Sequence, residues 1–306
     1  MRIGAHPTSH HEAIVLRHSS RTSISVITPS FNMLPYLRRC AASIQDQGPA
    51  TVNVEHIVID GSSSDGTVEW LQGQQTIAYK SEPDAGMYDA LNKGLDIAQG
   101  EIIAYLNCDE QYLPGALDAV AEAFKDNQTI DMLFGGVLVT NRDGRLLSCR
   151  PAYRPSWRYI AASHLYLLSA GMFFRRRVVE GGIRFDATLS DVADARFVVQ
   201  VLRSGYRAAC LRRYVAAFSF TGQNKSLSRN ARLEAQMLLS TAPWYIRATR
   251  WGFVLMRRLE KLLSGGYSRR PITYRIYQGD DIEGRACFSD SRPSWRWPRS
   301  TAPAPM

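Results

Sequence analysis

From Ile24 onward, short apolar and β-branched runs alternate with longer stretches whose apolar positions recur every three or four residues. That alternation is expected of parallel strands joined by crossover helices. Ile24 to Thr28, Val54 to Ile59, Thr76 to Tyr79 and Ile102 to Leu106 read as buried strands. Leu34 to Gln45, Thr67 to Gln72 and Met87 to Ala98 read as the helices between them, the first opening near Pro35, where a missing amide donor costs little. After Pro114 the pattern predicts a helix over Gly115 to Phe124, then an extended run from Met132 to Thr140 that Asp143-Gly144 turns back into Leu146 to Ser148. Leu167 to Phe174 is a further apolar run, and Asp194 to Leu202 a helix halted by Ser204-Gly205. The fold class expected is α/β: a mostly parallel open sheet with flanking helices, Rossmann-like over residues 23–112 and mixed over 113–220. A flexible leader at 1–22 precedes it, and a helical extension over 221–306 follows.

In open α/β sheets ligands sit beyond the carboxyl ends of the strands. Each predicted strand runs straight into polar residues there: Pro29-Ser30-Phe31-Asn32, Asp60 to Gly66, Ser81 to Gly86, and Asn107-Cys108-Asp109-Glu110. A lone Asp after a strand is ordinarily a helix cap or turn former. Four such loops in succession point to one shared rim. In the Asp60 to Gly66 loop, glycines permit close backbone approach and a carboxylate can accept from a nucleobase or ribose. It matches neither GxGxxG nor GxxxxGK[ST], so neither dinucleotide binding nor a phosphate-cradling loop is supported. Asn107 to Glu110 offers hard oxygen ligands suited to one Mg²⁺ or Mn²⁺ that keeps positions open for substrate phosphates. The plainer alternative is that Asp109 caps the helix near Pro114.

Composition narrows the class. The 306 residues are 45% apolar and 21% charged, with a mean hydropathy of -0.22, which excludes a disordered chain. No run approaches the ~20 apolar residues of a membrane span, and no apolar block with a cleavage site opens the chain, so residence in the cytoplasm is expected. Five scattered cysteines, never spaced as CxxC, argue against a disulfide framework or structural zinc. The net charge of +9 belongs to the tail: residues 229–306 hold 14 basic and 6 acidic side chains, against 23 and 22 before them. A basic tail suggests an anionic partner, either a phospholipid surface or a nucleic acid. On a helical wheel Trp244, Ala248, Trp251, Leu255, Leu259 and Leu262 share one face, with Arg247, Arg250, Arg257, Arg258 and Lys261 along a flank. Two readings follow: a helix packed on the body with a solvated basic side, or an interfacial helix lying on the inner face of the plasma membrane.

The strings Ser81-Glu82-Pro83-Asp84-Ala85-Gly86-Met87-Tyr88-Asp89-Ala90-Leu91-Asn92-Lys93-Gly94 and Gly100 to Glu110 resemble the family 2 glycosyltransferases of the GT-A fold, nearest the colanic-acid and exopolysaccharide type. Ser25 to Asn32 and Ile57 to Thr67 are similar to the first two motifs of that family, and the likeness covers roughly residues 23–215. It implies an inverting hexosyltransferase of surface polysaccharide biosynthesis, using a nucleotide sugar, with a leaning to uridine, and a saccharide or lipid-linked acceptor. The donor would lie against Pro29, Phe31, Asn32, Asp60, Asp84, Asn92, Lys93 and Asn107, with the divalent ion on Asp109. Asn107 and Glu110 depart from the family's DxD-like pattern. Phe185 to Asp194 is similar to the acceptor-side motif, which puts the catalytic base at Asp194 with Asp191 in reserve. Either could instead be a helix-start charge favoured by the macrodipole. Where relatives often carry a His before the Phe-Phe-Arg run, Ser169 stands; His164 reads as a satisfied or surface histidine. A nucleotidyltransferase and a basic nucleic-acid-binding protein are the competing classes. The first lacks a triphosphate loop, and the second lacks any recognised motif beside the tail's Arg and Trp, so no nucleic acid is expected.

Overall fold

The computed structural model describes residues 21–47, 52–220, 229–279 and 281–298. The leader expected over 1–22 therefore lies almost wholly outside the described residues. The first half comprises β1 (Thr22–Ser30), α1 (Leu34–Gln45), β2 (Val52–Asp60), α2 (Thr67–Gln72), β3 (Ile77–Ser81), α3 (Met87–Ile97) and β4 (Ile102–Tyr105). Its strands pair in the order β3-β2-β1-β4, all parallel. Helices cover both faces of such a sheet, which is why these strands read as near-continuous apolar runs. Ile24, Val26, Ile57, Val58, Ile59 and Ile102 are all fully buried.

The second half is mixed, as the sequence pattern suggests. It holds β5 (Glu110–Tyr112), α4 (Ala116–Asp126), β6 (Met132–Thr140), β7 (Leu146–Arg150), α5 (Trp157–Ala162), β8 (Met172–Arg175), α6 (Arg176–Glu180), α7 (Ala193–Arg203) and β9 (Ala208–Ser219). From β4 the sheet continues β8-β6-β9-β5, with β7 folded back on β6. Only β6 and β9 run parallel in this part. The long β9 was not expected from the sequence pattern. Its apolar run is broken by Arg212-Arg213, and the structure accommodates them at an irregularity where the register jumps from Phe134↔Cys210 to Gly136↔Tyr214.

The two halves close on each other at Phe185. Its ring stacks on Phe197 at 4.3 Å and on Tyr88 at 5.8 Å, and meets Tyr105 edge-on at 5.6 Å. Close backbone approach at the start of β4 needs a glycine: a Cβ on Gly100 would stand 2.4 Å from the Ser25 backbone nitrogen, which belongs to β1 and cannot move aside. Gly100→Ala is accordingly expected to cost about 2 kcal/mol or more, read from the midpoint of denaturant unfolding.

The extension contains α8 (Arg229–Ser240), α9 (Trp244–Ala248), α10 (Arg250–Leu263) and the antiparallel hairpin β10 (Ile272–Gln278) and β11 (Asp281–Asp290). The single tail helix of the sequence reading is thus two, divided at Thr249. Its basic flank also needs correction. Arg257 and Lys261 turn inward with the buried Ile246 and Val254, while Trp244, Trp251, Leu255, Leu259 and Leu262 face out at 50% to 76% exposure. The hairpin is built onto the body. The Gln111 side-chain amide donates to Tyr277 O at 3.0 Å and accepts from Tyr277 N at 2.8 Å. Arg285 forks onto both Asp46 oxygens at 2.5 and 2.6 Å, and the Tyr274 hydroxyl donates to Gly144 O at 2.6 Å. Among the described residues no helix is long and apolar enough to cross a membrane.

Candidate active site

A cleft of about 550 Å³ opens beyond the carboxyl ends of β1 and β4, against the start of α7. One wall is Pro29 near the end of β1 and Phe31 just after it, with Asp84 and Gly86 after β3; the floor is Asn107 to Glu110; the far wall carries Ser169, Asp191 and Asp194.

The first wall depends on a small residue. A Cβ at Gly61 would lie 2.8 Å from Asp84 Oδ2 and 3.3 Å from the Phe31 ring, so glycine there lets the two converge. Asp84 Oδ1 accepts from Gly86 N at 2.8 Å, which fixes the carboxylate at the head of α3. Phe31 is 62% exposed, an aromatic face with little packed upon it.

Behind that wall the Gly- and Ser-rich loop is tied to itself. The fully buried Asp60 accepts from Ser63 N at 2.9 Å, Ser63 Oγ at 2.5 Å and Ser81 Oγ at 2.7 Å. Asn32, at a φ of +50° that its side chain tolerates, accepts from Ser64 N at 2.8 Å, and its own N–H donates to Ser63 Oγ at 2.8 Å. Asn92 exchanges both amide groups with the Phe185 backbone at 2.9 and 3.0 Å. Lys93 donates to Pro83 O at 3.0 Å and pairs with Glu82 and Asp89 at 3.1 and 3.2 Å. The structure therefore brings Pro29, Phe31, Asp84, Asn107, Asp109, Asp191 and Asp194 to one cleft, while Asn32, Asp60, Asn92 and Lys93 stand outside its lining with polar groups bound to the protein.

The floor is an acidic turn leaving β4. Glu110 N donates to Asn107 O at 3.0 Å, and the Glu110 carboxylate accepts from Asn107 N at 2.8 Å. Burial pushes the Asp109 carboxyl up; Glu110 is pushed up by burial and then by the Asp109 charge beside it. Asn107 Oδ1 is buried with no hydrogen-bond partner among the described residues. Asn107 Oδ1 and the Asp109 carboxylate, which line the same cleft, are oxygen donors of the kind a hard cation takes. Among the described residues no cluster of three or more His, Cys, Asp or Glu side chains forms a ready cage, so such an ion would complete its shell with water or substrate oxygens.

Asp194 sits in the first turn of α7, and its Oδ1 accepts from Ala195 N at 2.7 Å. Burial raises its carboxyl to about 6 against the helix-start amides that lower it. The loop before α7 is held from far along the chain. Glu234, buried on α8, accepts from Ser190 N, Asp191 N and Val192 N at 2.8, 2.9 and 3.0 Å. A carboxylate taking three N–H donors holds this loop firmly in front of the helix. Glu234→Ala is expected to cost about 2 to 3 kcal/mol, since three donors lose their acceptor, and circular dichroism melts against wild type will read it.

Sequence reasoning missed two residues here. Glu234 is one, and nothing local marks it. The other is Trp297, which lines the cleft from the chain's last described segment. That segment follows β11 and runs beside β7, with Cys149 N donating to Ser294 O at 2.7 Å. Trp297 lies against Phe218 at 6.4 Å and edge-on to Phe220 at 6.1 Å, presenting an aromatic face of the kind sugar rings stack on.

The description Glycosyl transferase family 2 matches residues 25–182, just over half the chain. An uncharacterized glycosyltransferase of Mycobacterium tuberculosis is 38% identical over 120 residues, covering 38% of this chain and 45% of its own length. A Bacillus subtilis protein provisionally named a teichuronic acid biosynthesis glycosyltransferase is 32% identical over 126 residues, 40% of this chain and 49% of its own. The chain spans less than half the length of these curated relatives. Among solved structures, Staphylococcus aureus TarS 1-349 in complex with UDP-GlcNAc superimposes with a TM-score of 0.56 at 19% identity, over 81% of this chain and 74% of that one. That likeness is one of fold.

Proposed function

The chain belongs to glycosyl transferase family 2, with a GT-A fold, and from that premise we propose that it moves a sugar from a nucleotide-sugar donor to a hydroxyl of a saccharide acceptor with inversion at the anomeric carbon. The observation that carries this is the make-up of the cleft. Its lining holds Asp84, Asp109, Glu110, Asp191 and Asp194, and no Lys or Arg among the described residues. A diphosphate entering unaccompanied would meet only like charge, so the donor's diphosphate calls for a divalent cation held at Asp109 and Asn107. When bound, Mg²⁺ or Mn²⁺ would neutralise charge on the departing diphosphate.

The base lies against Phe31 and the ribose toward Asp84, while Asn32 and Asp60 brace the loop at Ser63 and Ser64, Lys93 holds the Pro83 carbonyl and Asn92 holds Phe185. Uridine is our reading for the base. On the far wall the acceptor hydroxyl faces Asp194. Its oxygen attacks the anomeric carbon, its proton passes to the Asp194 carboxylate, and the glycosidic oxygen leaves with the bonding pair on the nucleoside diphosphate. Attack opposite the leaving group inverts the centre. Proton NMR of the product formed from an α-linked donor should show a β linkage; an α linkage would overturn the inverting assignment.

The acceptor we assign to surface polysaccharide assembly of the colanic-acid and exopolysaccharide type, on a lipid carrier. The provisional name of the Bacillus subtilis relative supports a polysaccharide role, and the outward Trp244, Trp251, Leu255, Leu259 and Leu262 beside the exposed Arg247 and Arg258 support peripheral attachment to an anionic membrane on its cytoplasmic side. Wild type should sediment with phosphatidylglycerol vesicles, and Trp244→Ala with Trp251→Ala should lower recovery severalfold. No recovery of wild type, or equal recovery on neutral vesicles, would contradict the attachment.

A further inference from the structure

Arg150 at the end of β7 and Arg257 and Lys261, one turn apart on α10, gather beneath the chain's last described segment. None of the three forms an ion pair with a carboxylate among the described residues; the neighbouring Glu260 pairs with Arg154 instead. Their company is aromatic. Lys261 Nζ lies 4.5 Å from the centre of the Tyr267 ring and 5.4 Å from that of Trp295. The Arg257 guanidinium is 5.5 Å from the Tyr166 ring and donates to the Tyr153 hydroxyl at 3.1 Å. Arg150 is 5.4 Å from the Trp297 ring, and its Nη1 reaches Trp295 O at 3.4 Å.

Ring faces hold a cation without removing its charge. The cost of gathering these three is therefore outstanding. Lys261 is only 8% exposed, its stem folded inward against Gly266, where a Cβ would come within 2.5 Å of Lys261 Cγ. Burial first, and then the Arg150 and Arg257 charges, hold its ammonium down to about 8. Arg257 Nε is buried with no hydrogen-bond partner among the described residues. Three mutually repelling cations, with no carboxylate among the described residues to balance them, form the complement of a multiply charged oxyanion. Arg150 and Arg257 are half-buried, so the cluster reaches solvent.

We propose that Arg150, Arg257 and Lys261 form an anion site that takes the phosphate group of a phosphorylated acceptor whose saccharide end reaches Asp194 past Trp297. Trp297 links the two places, since it lines the cleft and carries Arg150 on its ring. The acceptor's identity rests on the transferase reading, whereas the anion site stands on the cations alone. Failure to bind phosphate would leave glycosyl transfer untouched, and failure of transfer would leave the anion site untouched.

The test is the melting temperature of the full chain in inorganic phosphate against chloride at matched ionic strength. Wild type should rise by several degrees in phosphate. Lys261→Met should melt no lower than wild type in chloride, having shed one of three like charges, and should lose most of the phosphate-dependent rise. Arg257→Gln provides the second variant should Lys261→Met not fold, and it should lose that rise too. A wild type indifferent to phosphate, or a rise kept in full by both variants, would overturn the site; the latter would place the anion elsewhere on the chain. Phosphatidylglycerol vesicles then separate the sources. Weaker sedimentation of Lys261→Met than of wild type assigns a membrane-borne phosphate, and equal sedimentation with the phosphate response lost assigns a soluble one.

Discussion

Asparagine in place of Asp194 is expected to lower the transfer rate by at least about 10²-fold while the protein stays folded. Asn is the same size, so the turn at the start of α7 keeps its shape, yet it cannot take a proton from the acceptor. The pH dependence follows from the environment. Burial raises the carboxyl to about 6, so the base is formed only as pH climbs through that value, and the wild-type rate should rise across the same interval. Stability runs the other way. A carboxyl whose folded pKa lies above its unfolded value favours the fold while protonated, below about 4, and that contribution is lost as pH rises through about 6. Asp194→Asn, which never ionises, should thus melt at or above the wild-type temperature at pH 7. A purified Asp194→Asn with near-normal turnover would remove Asp194 from the role. Asp191→Asn should then be assayed beside it, since both side chains line the same wall.

The second large effect is expected at Asp109, where asparagine should reduce transfer by about 10²- to 10³-fold and abolish the gain in nucleotide affinity that Mn²⁺ brings. The reasoning is electrostatic. With five acidic side chains and no Lys or Arg in the described lining, the cleft has nothing of its own to balance a leaving diphosphate. Asp109 and the unpartnered Asn107 Oδ1 offer the oxygen donors for an ion that can. Calorimetric titration of nucleoside diphosphate with and without Mn²⁺, in wild type and Asp109→Asn, checks this. Equal affinity in all four conditions would contradict a metal-assisted site.

What could be read in the sequence was whatever neighbours supply. Strands β1 and β4, and the end of β2 from His56 to Asp60, are buried on both faces, so their runs are largely apolar, and the polar loops behind them sit where chain geometry must put them. Asp84 and Asp109 follow from that geometry once the loops share a rim, whereas Asp194 was marked only by the likeness of Phe185 to Asp194 to the acceptor-side motif. Which polar residues of a loop face a ligand and which brace it does not follow, because the same residue types do both. Asp60 spends its carboxylate on Ser63 and Ser81, and Asn92 spends its amide on Phe185. Long-range partners were hidden altogether. Glu234 holds loop residues more than forty positions earlier, and Trp297 enters the cleft through a segment that leans on β7. The hairpin β10–β11 was masked by its own charges, since Arg275, Glu283 and Arg285 break the apolar pattern while Arg285 is consumed by Asp46. Arg257 and Lys261 were expected on a solvated flank, and only tertiary packing turns them in.

The most direct test of the central proposal, that one cleft holds a nucleotide sugar against Asp84 and Asp109 with the acceptor toward Asp194, is a melting-temperature screen of wild type against UDP-, GDP- and dTDP-sugars with and without Mn²⁺. Saturating ligand at about 100 times its Kd adds about 2.7 kcal/mol to the folded state, a rise that is easily read. The account predicts that one nucleotide class raises the melting temperature, that Mn²⁺ enlarges the rise, and that Asp109→Asn removes the enlargement. No response to any nucleotide sugar, or a response identical in Asp109→Asn, would contradict it.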